Sequence, residues 1–246
     1  MILVRTVSAT LRISIATIWE VYRGTFRRSV GDERLRWWSR RLIDLAELRC
    51  RVVNPRGITF GNDGKPTILM SNHSSLYDIP LIFVALPGSI RMLTKKELFS
   101  IPIWGRGLRA GEFASIDRRN REQAIRDLAQ ARAKMESGIV LWVAPEGTRS
   151  RDGRLGPFKK GGFMLALETG AQIVPIGIRG AGQVLPPKTF RSLQLGCTAE
   201  VHVGEPIDAS SYSIETRDQL MEEVARRIVE LARVERRGAP AEQEAA

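Results

Sequence analysis

From residue 50 onward the chain switches repeatedly between short apolar runs and segments of helical periodicity. This alternation restricts the architecture more than any other feature of its 246 residues. The runs at 67–70, 90–93, 139–143 and 173–178 are rich in Ile, Leu and Val and carry almost no charge. Short runs of that kind are strands buried on both faces. The stretch 198–203 alternates polar with apolar residues and predicts a strand with one wetter face. Helical periodicity occupies 79–86, 121–136, 162–168 and 214–233, with Leu220, Val224, Ile228 and Leu231 forming the apolar stripe of the last. Strands interleaved with helices predict an α/β fold, a sheet with helices packed on it. An apolar fraction of 43% is ample for its core and excludes a disordered chain. No internal repeat is present, and the Gly-Ala-Pro-rich tail over 238–246 predicts a frayed end.

The first fifty residues have a different character. Val4, Val7, Leu11, Ile15, Ile18, Tyr22 and Phe26 follow three- and four-residue steps, which places them on one helical face. Arg5, Arg12, Glu20, Arg23 and Arg27 gather on the other. Gly31-Asp32 predicts the break before a second helix, near Glu33 to Arg49, that stacks Leu35, Trp38, Leu42 and Leu45 with Trp37 beside them. The segment has ten arginines, five acids and no lysine. Arg5, Arg12, Glu20 and Arg23 interrupt the first apolar stretch short of the roughly 20 residues a bilayer requires, so no simple transmembrane span is expected. No signal-peptide cleavage pattern follows it either. The expectation for 1–50 is an amphipathic, interfacial two-helix anchor, with apolar residues among lipid tails, tryptophans at headgroup level and arginines on lipid phosphates. A helical hairpin packed on the core with a solvated basic face is the alternative.

Charge and rare residues narrow the chemistry. With 38 Lys+Arg against 27 Asp+Glu the formal charge is +11, which points to a polyanionic partner: an acidic membrane surface, a phosphorylated substrate or nucleic acid. Nucleic-acid binding is disfavoured because the aromatics sit in the helical anchor and are not interleaved with the basic residues. Cys50 and Cys197 lie in no motif, so a disulfide scaffold or cysteine metal site is excluded and a reducing compartment is expected. His73 and His202 are the only imidazoles, and His202 is expected to face solvent on its strand.

Four blocks carry chemistry. In Asn72-His73-Ser74-Ser75-Leu76-Tyr77-Asp78, placed after a strand, a tight turn would let the Asp78 carboxylate accept the Nδ1–H of His73, leaving Nε2 to take a proton from a hydroxyl; a histidine that caps the following helix is the other reading. No Gly-x-Ser-x-Gly elbow exists, which argues against a serine nucleophile. Ala144-Pro145-Glu146-Gly147-Thr148-Arg149-Ser150 follows another strand. Its backbone turn, Arg149 and hydroxyls suit a phosphate, while Glu146 is expected to accept a substrate hydroxyl or hold an arginine. Lys159 and Lys160 add cations at the start of a helix. The third block, Gly111 to Arg118, reads as a short strand ending in an Asp-Arg pair, and the fourth, Val174-Pro175-Ile176, as a buried strand.

In this order and at these intervals the four blocks resemble the glycerolipid acyltransferase family, with the closest likeness to its bacterial 1-acyl-sn-glycerol-3-phosphate acyltransferases. His73 to Asp78 is similar to the family's His-x-x-x-x-Asp, Pro145 to Ser150 to its Pro-Glu-Gly-Thr-Arg-Ser, Ser115 to Arg118 to its arginine motif and Val174 to Ile176 to its valine-proline strand. The resemblance implies a glycerol-3-phosphate acyltransferase-like domain over 51–237, a central mixed β-sheet flanked by helices, behind the anchor of 1–50. It implies that His73 is general base on the sn-2 hydroxyl of lysophosphatidic acid, that Asp78 orients it and that no acyl-enzyme forms. Acyl-CoA or acyl carrier protein would be the donor, with no metal or other cofactor. Arg118, Glu146, Gly147, Thr148, Arg149 and Lys159 would hold the glycerol phosphate, and Val174, Pro175 and Ile176 would help build the acyl pocket. Location on the cytoplasmic face of the cytoplasmic membrane, monotopic or peripheral, follows from the same likeness. Ala144 and Ser115 stand where the family usually has larger apolar residues, which leaves room for another lysolipid acceptor, such as a lyso-ornithine lipid or glycolipid. A non-catalytic basic membrane- or nucleic-acid-binding module is the reading from a different class.

Overall fold

The computed structural model describes residues 2–61, 64–117, 120–186 and 193–237. Helices α1 (Ile2–Tyr22) and α2 (Arg28–Leu45) precede strands β1 (Arg49–Val53) and β2 (Thr67–Ser71), helix α3 (Asp78–Ala85) and strand β3 (Ile90–Lys95). A 3-10 turn, Lys96–Ser100, leads to α4 (Trp104–Ala110), β4 (Ala114–Ile116), α5 (Arg121–Glu136) and β5 (Val140–Val143). The chain continues through α6 (Gly161–Thr169), β6 (Gln172–Arg179), α7 (Ala181–Val184), β7 (Thr198–Val203), β8 (Ile207–Asp208) and α8 (Arg217–Ala232).

The strands form one mixed sheet in the order β1-β7-β6-β2-β5-β3-β4, with β8 beside β6. Strands β6, β2, β5, β3 and β4 run parallel, while β7 and β8 pair antiparallel with β6. Alternate side chains of the central strands feed opposite faces. Leu69, Trp142 and Val174 join a core under α2 and α3, whereas Ile68, Met70, Leu141 and Ile173 join a second core that takes in residues of α5, α6 and α8. Burial on both faces explains why these strands read as unbroken apolar runs. Because the five central strands are parallel, the loops after β2, β4 and β5 emerge at one edge of the sheet, where α/β proteins bind ligands.

The N-terminal hairpin departs from the sequence expectation in two ways. The break falls at Gly24, whose φ of 66° suits glycine, and not at Gly31-Asp32. Gly31 is buried inside α2, where a Cβ would stand 3.1 Å from the Phe26 ring, and Asp32 pairs with the fully buried Arg91 at 2.6 Å. The 18 residues from Ile2 to Trp19 contain only Arg5 and Arg12 as charges, so α1 is long and apolar enough to cross a membrane; it is the only such helix among the described residues. Its apolar stripe faces outward: Val4, Val7, Ile15 and Tyr22 are exposed, while Ala9, Ser14 and Thr17 are buried against the protein. The crossing with α4 is close, since a Cβ on Gly107 would lie 2.6 Å from that of Ser14. The inward hydroxyls are satisfied within the helix, Ser14 Oγ donating to the Thr10 carbonyl at 2.8 Å and Thr17 Oγ1 to that of Ile13 at 2.8 Å. Side-chain bonds join the helices: Arg34 grips both oxygens of Glu20 and donates to Thr17 Oγ1 at 3.0 Å, and Trp38 Nε1 donates to Thr10 Oγ1 at 2.9 Å. Trp38 therefore faces the partner helix, and Trp19 and Trp37 remain exposed. The tail 238–246 lies outside the described residues.

Candidate functional site

His73 sits in the loop between β2 and α3, and that loop is held almost wholly by polar groups around it. The Asn72 amide continues the sheet where strand pairing stops: Nδ2 donates to the Ile178 carbonyl and Oδ1 accepts the Ile178 N–H, both at 2.8 Å. Ser75 Oγ donates to the Leu185 carbonyl at 2.9 Å and accepts the Tyr77 N–H. Asp78, fully buried in the first turn of α3, accepts at Oδ2 from the N–H groups of Ser74 and Ser75 at 2.8 and 2.9 Å. The same oxygen lies 2.7 Å from His73 Nδ1. A carboxylate oxygen accepts, so Nδ1 carries the proton and the ring's lone pair is on Nε2. The imidazole stands edge-on to the buried Trp142 ring, which is tied to Ser71 Oγ by its own N–H.

The loop after β5 clasps the histidine from the other side. Glu146, buried at 5% exposure, accepts the His73 N–H at Oε1 (3.0 Å) and the Gly156 N–H at Oε2 (2.8 Å). Ser150 N–H donates to the His73 carbonyl at 2.6 Å. Both backbone groups of His73 are thus bound by the Pro145–Ser150 block. Glu146 is engaged by main-chain donors on two loops, partners that the sequence reading did not include. Burial pushes its carboxyl above the ordinary range, and the N–H groups of Gly156 and His73 oppose that rise.

The remaining residues fall into place around this clasp. Gly147 has a φ of 75°, supplying the turn that follows Glu146. Arg149 is half-buried, and its Nη1 is buried with no hydrogen-bond partner. Thr148 and Lys159 are exposed, and the Lys159 N–H donates to the Pro145 carbonyl. Arg118 lies outside the described residues. Its neighbour Asp117 is anchored by the buried Asp127, whose Oδ2 accepts the Asp117 N–H at 2.7 Å. Val174, Pro175 and Ile176 are buried in β6 as part of the sheet. An apolar groove, partly open to solvent, lies elsewhere, between α1, α2, α3 and α4. Its walls include Ile13, Leu35, Phe83, Trp104 and Phe113, with the Arg91 guanidinium among them. Ile79, next in sequence to Asp78, also lines it.

His202 lies elsewhere on the sheet and is mostly buried, not solvent-facing, with Nε2 2.8 Å from Glu200 Oε2. Among the described residues no three His, Cys, Asp or Glu side chains are grouped to hold a metal. Sequence reasoning missed Asn72, Asp127 and the Arg91-lined groove. Only Asn72 carried a signal, being the polar residue between the strand and the histidine.

The sheet edge thus brings together a buried aspartate on a histidine and, on the next loop, an arginine whose Nη1 has no partner. The acyltransferase family model matches residues 51–179, and the chain belongs to that family. The crystal structure of the 1-acyl-sn-glycerophosphate (LPA) acyltransferase PlsC from Thermotoga maritima superposes with a TM-score of 0.69 at 27% identity, covering 94% of this chain and 98% of that one. The chloroplastic 1-acyl-sn-glycerol-3-phosphate acyltransferase BAT2 of Brassica napus is 33% identical over 165 residues, 67% of this chain and 46% of its own length. The human 1-acyl-sn-glycerol-3-phosphate acyltransferase beta is 31% identical over 141 residues, 57% of this chain and 50% of that one. The chain spans about half the length of these two relatives.

Proposed function

We propose that the protein transfers a fatty acyl chain from an acyl thioester, of coenzyme A or acyl carrier protein, to the sn-2 hydroxyl of 1-acyl-glycerol-3-phosphate, yielding phosphatidic acid. The observation that carries this reading is the His73–Asp78 pair: a buried carboxylate, fixed by two backbone N–H groups, 2.7 Å from Nδ1. Nε2 of His73 removes the hydroxyl proton as the oxygen attacks the thioester carbon. The tetrahedral intermediate collapses, the C–S bond breaks, and the imidazolium returns its proton to the departing thiolate. Asp78 stabilises the imidazolium that forms between these steps, and no acyl-enzyme intervenes. Much of the acceleration is proximity, since acceptor and thioester must meet at one imidazole.

The phosphate of the acceptor is assigned to Arg149, whose unpartnered Nη1 supports a charge-assisted bond. Gly147, Thr148, Lys159 and Arg118 complete that side of the site. Glu146 serves it indirectly, by holding the loops of His73 and Gly156 together. An acyl chain occupies the groove between α1 and α4; this departs from the sequence expectation, which put Val174, Pro175 and Ile176 on the acyl side. Residues 1–50 form the membrane anchor of the domain over 51–237. The exposed Val4, Val7, Ile15 and Trp19 enter the acyl region while α1 stays against α2 and α4, a monotopic or peripheral attachment to the cytoplasmic membrane.

The test is thiol release by detergent-purified protein given an acyl thioester and a panel of lysolipids. Turnover chiefly with lysophosphatidic acid supports the reading. Turnover chiefly with a lyso-ornithine lipid or a glycolipid overturns the acceptor and directs attention to Ser115 and Ala144.

A further inference from the structure

The chain beyond α8 returns to the back of the histidine clasp. Leu155, 1% exposed, donates its N–H to the Glu235 carbonyl at 2.7 Å and accepts the Arg237 N–H at 2.9 Å, forming a parallel bridge to Arg236. Val234 packs on the second core, and Arg154 pairs with Glu235. The Arg237 guanidinium then grips Asp152, with Nη2 2.7 Å from Oδ1 and Nε 3.0 Å from Oδ2. Asp152 Oδ1 also accepts from Ser150 Oγ at 3.0 Å and the Arg154 N–H at 3.1 Å. Ser150 in turn donates its N–H to the His73 carbonyl.

We propose that Arg237 is a positioning residue for acyl transfer, acting through Asp152 and Ser150 to hold the Pro145–Ser150 block against His73. A second route runs beside the first. Arg237 Nη1 would stand 3.8 Å from a Cβ on Gly156, the residue whose N–H binds Glu146. The guanidinium also favours the ionised form of Glu146, as does protonated His73, and it holds the Asp152 carboxyl far below the usual carboxylate range. An exposed ion pair contributes little by itself. Here it closes a chain of bonds that begins 58 residues beyond the matched family region, 51–179, and ends on the backbone of the histidine. Both Arg149 and the carbonyl of His73 depend on the same loop, so loosening it moves acceptor and base together.

The proposal rests on His73 being the general base, and its test keeps the two apart. Arg237→Ala, Arg237→Lys, Arg236→Ala and His73→Ala are compared in the full-length protein by thiol release and thermal melting. Arg236 pairs with Glu222 on α8 and serves as the control for the tail itself. Arg237→Ala is expected to lower kcat/KM for the acceptor about tenfold, less than the roughly 100-fold that a misplacement of about 1 Å can cost. The acceptor KM rises while the donor KM and melting temperature hold, and Arg237→Lys recovers more than half of the activity. Wild-type constants in Arg237→Ala overturn the proposal. So does an equal loss in Arg236→Ala, or a fall in kcat with both KM values fixed, which marks a merely smaller folded fraction. Retained turnover in His73→Ala would instead overturn the reading of the site.

Discussion

The two ends of the sheet-and-helix assembly are held by opposite means. Around His73, order comes from polar groups that are nearly all paired inside the protein: the Asn72 amide on β6, Asp78 on two N–H groups and the imidazole, and Glu146 on two loops. Along α1 the arrangement is inverted. Small and hydroxyl-bearing residues face the protein, and Val4, Val7, Ile15, Trp19 and Tyr22 face outward, exposed. The first region carries its partners with it; the second is completed by its surroundings. On the function proposed above, proton transfer and membrane association draw on different groups, and the difference can be attacked from either side.

The largest expected effect comes from Asp78→Asn. An amide can keep an oxygen on the three donors that meet at Oδ2 but carries no charge to stabilise the imidazolium, so kcat should fall by about 10²–10⁴-fold, as for other histidine-orienting carboxylates. Vesicle binding should not change. A loss of binding alongside activity would show that the two regions are coupled. Arg149→Ala comes next: losing one charge-assisted bond costs roughly 1.5–3 kcal/mol, so the acceptor KM should rise at least tenfold with the donor KM unchanged. Equal shifts in both constants would move the phosphate elsewhere.

On the hairpin, Ile15→Ser should weaken partition into vesicles of mixed anionic and neutral phospholipid about tenfold, the worth of one apolar side chain withdrawn from lipid. Thiol release with a short-chain, water-soluble acceptor should stay at the wild-type rate. Flotation that survives high salt would mark apolar insertion, whereas detachment would mark attraction by the arginines alone. The smallest effect is a pH dependence. Burial raises the folded-state pKa of Glu146 above its ordinary 4.5. The folded protein therefore holds this proton more tightly than the unfolded chain. The group's contribution to stability falls as pH rises through the window from 4.5 to the raised folded value. Glu146→Gln should flatten the melting temperature in that window, and an unaltered slope would assign the pH dependence to other groups.

Much of this was legible in the sequence, for identifiable reasons. The buried strands announced themselves because both faces of the sheet are covered, whereas His73 and Asp78, five residues apart, were singled out by the resemblance of their block to a family motif. The hairpin break was misplaced because Gly31 looks like a turn residue, whereas its lack of a side chain lets the Phe26 ring pack closely. The partners of Glu146 went unread because they are main-chain N–H groups from two loops, which no spacing records. The outward face of α1 was correctly apolar in pattern, but pattern alone does not say which face a domain takes and which it leaves. The tail's return to Leu155 gave no sequence signal, since its bonds are backbone bonds and its ion pair joins residues 85 positions apart.

The central claim is that the imidazole of His73 does the chemistry while the hairpin does the anchoring. It is tested most directly by His73→Ala, assayed for thiol release with an acyl thioester and lysophosphatidic acid and for vesicle flotation on the same preparation. The account gives a loss of at least about 100-fold in kcat with flotation unchanged. Retention of a tenth of the wild-type kcat would contradict it.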